Sequence, residues 1–181
     1  MSNTFLISDT HFGHANSLNF MRDDGVTKMR HFISVEEMDE TIINNWNNVV
    51  RPADRIYHLG DVVIARKNLC ILDRLNGRKV LIKGNHDIFK LKDYLPYFDD
   101  IRGSHKLDKF ILSHIPIHPN HMARWAAGNI HGHLHDNLVM LGDAPDTRYI
   151  NVCVENIGYT PIAFEELKRD VAHRAEREVQ K

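Results

Sequence analysis

VLIKGNHD, residues 80–87, joins an apolar run, Val80-Leu81-Ile82, to a segment in which Lys83, Asn85, His86 and Asp87 can each ligate, donate or transfer a proton. A short apolar run closed by a glycine turn reads as a buried strand. Polar groups crowded at the end of such a strand point to a binding edge.

The same arrangement recurs along the chain. Thr4 to Ser8, Arg55 to Leu59, Lys79 to Lys83, Lys109 to Ser113, Asn129 to His131 and Tyr149 to Val154 are rich in β-branched and other apolar residues and read as strands. The first five are followed by Asp9 and His11, Gly60-Asp61, Gly84-Asn85-His86-Asp87, His114, and Gly132-His133-Leu134-His135. Helical patterns separate the early strands. SVEE, from Ser34, places Glu37 as a capping-box partner, and Met38, Ile42, Trp46 and Val49 follow on one face. Lys67 to Asn76 carries Leu69, Leu72 and Leu75 and stops at Gly77 in the C-cap position. This alternation predicts an α/β protein, while Ile101–Ser113 and Asn129–Glu155 predict a strand-rich or mixed (α+β) second half. Phe164 to Lys181 has Leu167, Val171, Ala175 and Val179 at helical spacing, which predicts a peripheral C-terminal helix over about 164–180. No repeat or linker divides the chain, so residues 1–181 are read as a single domain.

The 23 basic and 24 acidic residues leave a net charge of −1, without the basic field that non-specific nucleic-acid binding needs. Cys70 and Cys153 form no C-x-x-C pair and are read as reduced core residues, which favours the cytoplasm. The N-terminus lacks the pattern of a secretion signal, and no apolar run approaches the roughly 20 residues that span a bilayer. The 13 histidines cluster, which points to metal ligation or proton transfer.

Loops leaving the C-terminal ends of strands in an open α/β sheet converge on one edge, where ligands bind. Five such loops would gather Asp, His, Asp, Asn, His, His and His. This set of oxygens and imidazoles, free of thiolate, suits Mn, Fe, Ni, Co or Zn better than Ca or Mg. Seven ligands exceed one tetrahedral ion and match two ions sharing a bridging carboxylate, a centre that clamps both oxygens of an in-line displacement. Two divalent cations less two aspartates leave a positive site, a receptor for a phosphate ester. A histidine-rich turn or a Gly-Asp turn has a plainer reading by itself. The ordered recurrence at five strand ends carries the functional one.

The ordered blocks Asp9-Thr10-His11, Gly60-Asp61, Gly84-Asn85-His86-Asp87, His114 and Gly132-His133-Leu134-His135 resemble the signature of the calcineurin-like metallophosphoesterases, and SDTHFGHAN, YHLGDV and TPI are similar to its small prokaryotic and phage branch. The resemblance implies a β-sandwich of two mixed sheets flanked by helices. It implies that Asp9, His11 and His135 hold one divalent metal ion, that Asn85, His114 and His133 hold a second, and that Asp61 bridges them, with manganese first among Mn, Fe, Ni, Co and Zn. A hydroxide bridging the two ions would attack phosphorus in line, and His86 would face the phosphate and protonate the leaving oxygen. In the protein Ser/Thr phosphatase branch the second block extends to GD-x-x-D-R-G. Here GDVVIAR has Ile64 at that acid, so His86 is oriented by Asp87 or acts unassisted, and a protein phosphatase is disfavoured.

The expected enzyme is therefore a binuclear metal-dependent phosphoesterase, most simply a phosphodiesterase on a small nucleotide or cyclic nucleotide. Phosphomonoesterase activity on small phosphorylated molecules is the alternative, and a non-catalytic scaffold the remote one. Asn85, His86, His14 and Arg124 are the candidate substrate contacts. Asn16, His118, His121 and Trp125 are secondary candidates, Trp125 also for packing or a homodimer contact. His58 is read as a strand residue or a hydrogen-bond donor behind the ligands.

Overall fold

A computed structural model describes residues 2–122 and 126–179, so Arg124 and Trp125 lie outside the described residues. The strands β1 (Thr4–Ile7), β2 (Arg55–His58) and β3 (Arg78–Ile82) run parallel side by side, with Phe5 opposite Ile56 and Tyr57 opposite Val80. β4 (Asp100–Arg102) continues the sheet in parallel beyond β3. A two-residue strand, β11 (Ile162–Ala163), closes the far edge antiparallel to β1. The second sheet has β5 (Ser104–Leu107) and β6 (Phe110–Ser113) as an antiparallel hairpin, followed by β7 (Gly128–His131) and β10 (Tyr149–Asn151) in parallel. β8 (Met140–Leu141) and β9 (Ala144–Pro145) form a separate small hairpin. Both main sheets are mixed.

Side chains alternate across each strand, so one apolar run supplies two layers. Leu6, Tyr57, Val80 and Ile82 face inward and meet Phe110, Leu112 and Ile130 of the second sheet. Phe5, Ile7, Ile56 and Leu81 face outward and pack against Met38, Ile42 and Trp46 of α1 (Val35–Val49). Burying an aliphatic side chain of this size stabilises by roughly 1.5–3 kcal/mol, so both faces of the first sheet contribute. Ser34 caps α1, its Oγ accepting the Glu37 N–H at 3.1 Å, while Glu37 Oε2 accepts the Ile33 N–H at 2.6 Å, one residue earlier than an ideal capping box. The short helices α2 (Leu91–Tyr94) and α3 (Pro119–Met122) sit in connections. α4 (Phe164–Val179) begins with Phe164 and Leu167 buried in the layer between the sheets. No helix among the described residues is long and apolar enough to cross a membrane.

The helical reading of Lys67–Asn76 is corrected in type and end. Residues Arg66–Arg74 form a 3-10 helix, in which Leu69 and Leu72 fall on one buried side at the three-residue spacing, and Leu75 is already extended. Gly77 is therefore no C-cap. Its φ is +93°, and a Cβ there would lie 2.8 Å from Val50 Cγ1, so it turns the chain into β3. Cys70, next to Leu69 on this helix, is exposed rather than in the core.

β1 does not end cleanly. Ser8 donates its N–H to Val152 O at 2.9 Å and accepts the Val154 N–H at 3.1 Å, pairing beside Cys153 with the chain that continues β10. The strand thus crosses from the first sheet to the second one residue before Asp9.

Candidate metal centre

The seam between the sheets gathers all the strand-end motifs. Asp9, His11 and His135 present one ligand atom each within 4.8 Å of one another, and so do Asp9, Asp61 and His114. The two groups share Asp9. Asp61 also faces both, with Oδ2 3.8 Å from His11 Nε2 and 3.4 Å from His114 Nε2. Asn85 Oδ1 lies 2.8 Å from His114 Nε2, and the His133 ring centroid is 5.1 Å from that of His114.

Unusual backbone geometry aims these side chains. Asp9, His11, Asp61, His133 and His135 all have φ between 49° and 70°, and they are five of the seven non-glycine residues with positive φ among those described. Such a residue costs on the order of 1–3 kcal/mol and persists only where its surroundings enforce it. Here the loops enforce one another. The Asp9 N–H donates to Gly60 O at 3.0 Å and the His11 N–H to Asp61 O at 3.1 Å. The approach is so close that a Cβ at Gly84 would lie 2.3 Å from Asp61 Oδ1, and one at Gly132 2.3 Å from Asp9 Oδ2.

The donor set fits a divalent cation. His114 Nδ1 lies 2.8 Å from the Leu59 carbonyl, which can only accept, so Nδ1 carries a proton and Nε2 is turned to Asp61 and Asn85. His135 Nδ1 likewise donates to Glu155 Oε1 at 3.0 Å, leaving Nε2 free. Asp9 Oδ1 and both ring nitrogens of His11 are buried without a hydrogen-bond partner. Burial pushes the Asp9 carboxyl up, but the imidazoles of His11, His114 and His135 outweigh it and hold the group well below the usual carboxylate range. Asp61 is also lowered: burial raises it, and the neighbouring His114 prevails. Ionised carboxylates that draw positive charge toward them, with imidazole nitrogens turned to the same space, form a donor set that a divalent cation satisfies.

Several supporting residues escape a reading for ligands. Asp87 is fully buried; its Oδ2 accepts the N–H groups of Gly84 (2.8 Å) and Asp61 (2.9 Å), and Oδ1 that of Val62 (3.1 Å). Committed to three backbone donors, it does not orient the His86 ring. Cys153, a reduced core residue as expected, also donates its thiol to Asp9 Oδ2 at 3.1 Å beside Ser8 Oγ (2.6 Å) and the His133 N–H (2.9 Å). Phe20 sets its ring edge-on to His11, His14 and His135. His58 stands behind the site: Nδ1 accepts the Gly60 N–H at 3.2 Å, so Nε2 donates to Thr10 Oγ1 at 3.0 Å, and burial pushes its pKa down to about 3.

Of the remaining candidates, His86 and His14 set their rings beside that of His11. His86 is exposed, with its ring centroid 5.8 Å from that of His11 and no hydrogen bond to the ring among the described residues. His14 precedes the 3-10 helix Ala15–Asn19 without capping it, and its buried Nδ1 is unpartnered 5.6 Å, ring to ring, from His11. Asn16, His118 and His121 are exposed. Beside Asn85 and His114 opens a cleft of about 360 Å³, lined also by Lys83, Ser104, Ile115 and Ile117.

Fold and site together define a two-sheet α/β sandwich bearing a carboxylate–imidazole centre on the seam between its sheets. The chain is 38% identical over 173 residues to the uncharacterized protein MJ1445 of Methanocaldococcus jannaschii, covering 91% of this chain and 89% of that one, and it belongs to the same family. No protein-family model matches it. The crystal structure of AQ665, a protein of unknown function from Aquifex aeolicus, superposes with a TM-score of 0.69 at 28% identity over 93% of this chain and 99% of that one. An archaeal phosphodiesterase reaches a TM-score of only 0.45 at 18% identity, over 82% of each chain, and a likeness of that size carries no argument about activity.

Proposed function

We propose that the protein is a metal-dependent phosphoesterase of the calcineurin-like metallophosphoesterase superfamily, acting in the cytoplasm as a phosphodiesterase on small nucleotides or cyclic nucleotides. The observation that carries this reading is the convergence of buried, unpartnered polar atoms, Asp9 Oδ1 and the two ring nitrogens of His11, with Asp61, Asn85 and His114 around one space. Two divalent ions bound there, manganese first among the candidates, would supply Lewis-acid polarisation of the phosphoryl oxygens and activate water for in-line attack.

The chain's own residues then divide the remaining work. Asp9, His11 and His135 hold one position, Asn85, His114 and His133 the other, and Asp61 stands between the imidazoles of both. His86, exposed beside His11 and with no hydrogen bond to its ring among the described residues, is placed to meet the phosphate and hand a proton to the leaving oxygen. His14 and Asn85 line the approach, and Arg124 is a further phosphate contact in this reading. The cleft beside Asn85 and His114 favours a diester over a monoester, because it offers room for a second ester substituent.

The test is hydrolysis of a mono-aryl and a bis-aryl phosphate under Mn²⁺, before and after chelation. Activity is expected to vanish with chelator, return with Mn²⁺, and favour the bis-aryl ester. Full turnover in metal-free protein would sink the proposal.

A further inference from the structure

Arg30 is the one arginine with a fully buried side chain among the described residues, and the hydrophobic layers give no reason for it. Its Nε donates to Glu155 Oε1 at 2.7 Å, and Nη2 lies 2.7 Å from the same oxygen. Nη2 also donates to the Asp9 carbonyl at 2.6 Å and Nη1 to that of Thr10 at 3.2 Å. Glu155, its side chain 2% exposed, uses that Oε1 again to accept the proton of His135 Nδ1 at 3.0 Å. A single guanidinium thus ties the left-handed Asp9 segment, the end of the β10 chain and His135 together.

Removing two charges from water is expensive, and a well-packed apolar pair of similar volume serves stability as well or better. The pair therefore calls for another reason. We propose that Arg30 and Glu155 are positioning residues that fix His135 in its Nδ1–H tautomer and so hold its Nε2 lone pair ready at the first metal position. This rests on the metal-binding part of the function proposed above. A carboxylate can only accept, so it dictates which ring nitrogen carries the proton. Arg30 keeps that carboxylate from rotating and offsets its charge, while pinning the backbone of the neighbouring ligand Asp9. His114, in the second group, is fixed instead by the Leu59 carbonyl. The two positions are held by different means, one by the main chain and one by an ion pair spanning 125 residues.

The decisive variant is the double replacement Arg30→Met with Glu155→Leu, which removes both charges together and leaves neither stranded. Nitrogen-15 correlation spectra of the metal-free protein read the tautomer of His135 directly, and titration calorimetry with Mn²⁺ reads each position. Wild-type His135 is expected as Nδ1–H. The double variant should shift it toward Nε2–H and weaken the Mn²⁺ site that His135 serves by about 10- to 100-fold, more than it weakens the other. Glu155→Gln, which keeps an acceptor at the same place, should retain the tautomer. An unchanged tautomer in a folded double variant overturns the proposal, as does a changed tautomer with both affinities intact. Should the double variant not fold, a Glu155→Gln protein that has lost the Nδ1–H tautomer overturns it equally. A wild-type protein that binds Mn²⁺ in this way yet hydrolyses no phosphoester would refute the enzymatic reading alone.

Discussion

The carboxylate of Asp87 accepts the backbone N–H of Asp61 at 2.9 Å, so the motif after β3 holds the motif after β2 in place. With the N–H groups of Gly84 and Val62 on the same carboxylate, three backbone donors depend on one side chain. Asp87→Ala strands all three. Each stranded donor costs about 1–3 kcal/mol before relaxation, so a loss of at least 3 kcal/mol is expected from urea unfolding monitored by tryptophan fluorescence.

His86 should be separable from the metal ligands. His86→Ala is expected to lower kcat by about 10²- to 10⁴-fold, the usual worth of a general acid. Bound manganese, measured by mass spectrometry, should stay at the wild-type ratio. Loss of metal together with turnover would place His86 among the ligands.

A single methyl group should disarm the centre. The Cβ added by Gly132→Ala would lie 2.0 Å from Ser8 Oγ and 2.3 Å from Asp9 Oδ2, the latter on the side chain shared by the two groups. Mn²⁺ affinity at both positions is expected to fall more than tenfold by calorimetry, whereas the double replacement of Arg30 and Glu155 acts mainly on one.

Asp39 gives stability a pH dependence opposite to that of a paired carboxylate. Burial pushes its carboxyl up to about 6 from 3.8, more than the Gly13 N–H, which donates to it at 2.9 Å, can offset. The folded state therefore binds the extra proton between these values. Its contribution is fully present below about pH 3.8 and is lost as pH rises through 6. Relative to Asp39→Asn, the wild type should lose on the order of 2 kcal/mol between pH 4 and pH 7 in urea titrations.

Mn²⁺ should stabilise by mass action. At one hundred times Kd the gain is about 2.7 kcal/mol, which for a chain of this size raises Tm by roughly 5–10 °C, and chelator should reverse it. An unchanged Tm would speak against metal binding by the native state.

Much of this was legible in the sequence because a buried strand writes its own pattern. The apolar runs located β1, β2, β3, β6, β7 and β10 to within a few residues, and the polar residues after five of them are those the fold gathers. Glu155 obeys the same rule, standing just past the sixth run, and was recoverable from it. Arg30 was not: it sits in an aperiodic loop, and its oxygen partners are 20 to 125 residues away. The strands β8, β9 and β11 have two residues each, too few for any period to show. Asp87 misled for a physical reason, since a buried carboxylate that anchors backbone donors has the same sequence appearance as one that does chemistry.

Ser8 exchanges backbone hydrogen bonds with Val152 and Val154 immediately before Asp9. The stitch that closes the two sheets over their common core is also the floor of the pocket. The centre consequently has no melting of its own: parting the sheets scatters the ligands, and the ligand loops cannot disperse while the sheets stay joined. Amide exchange at Val154 and loss of Mn²⁺ affinity along a urea titration should therefore follow one and the same transition.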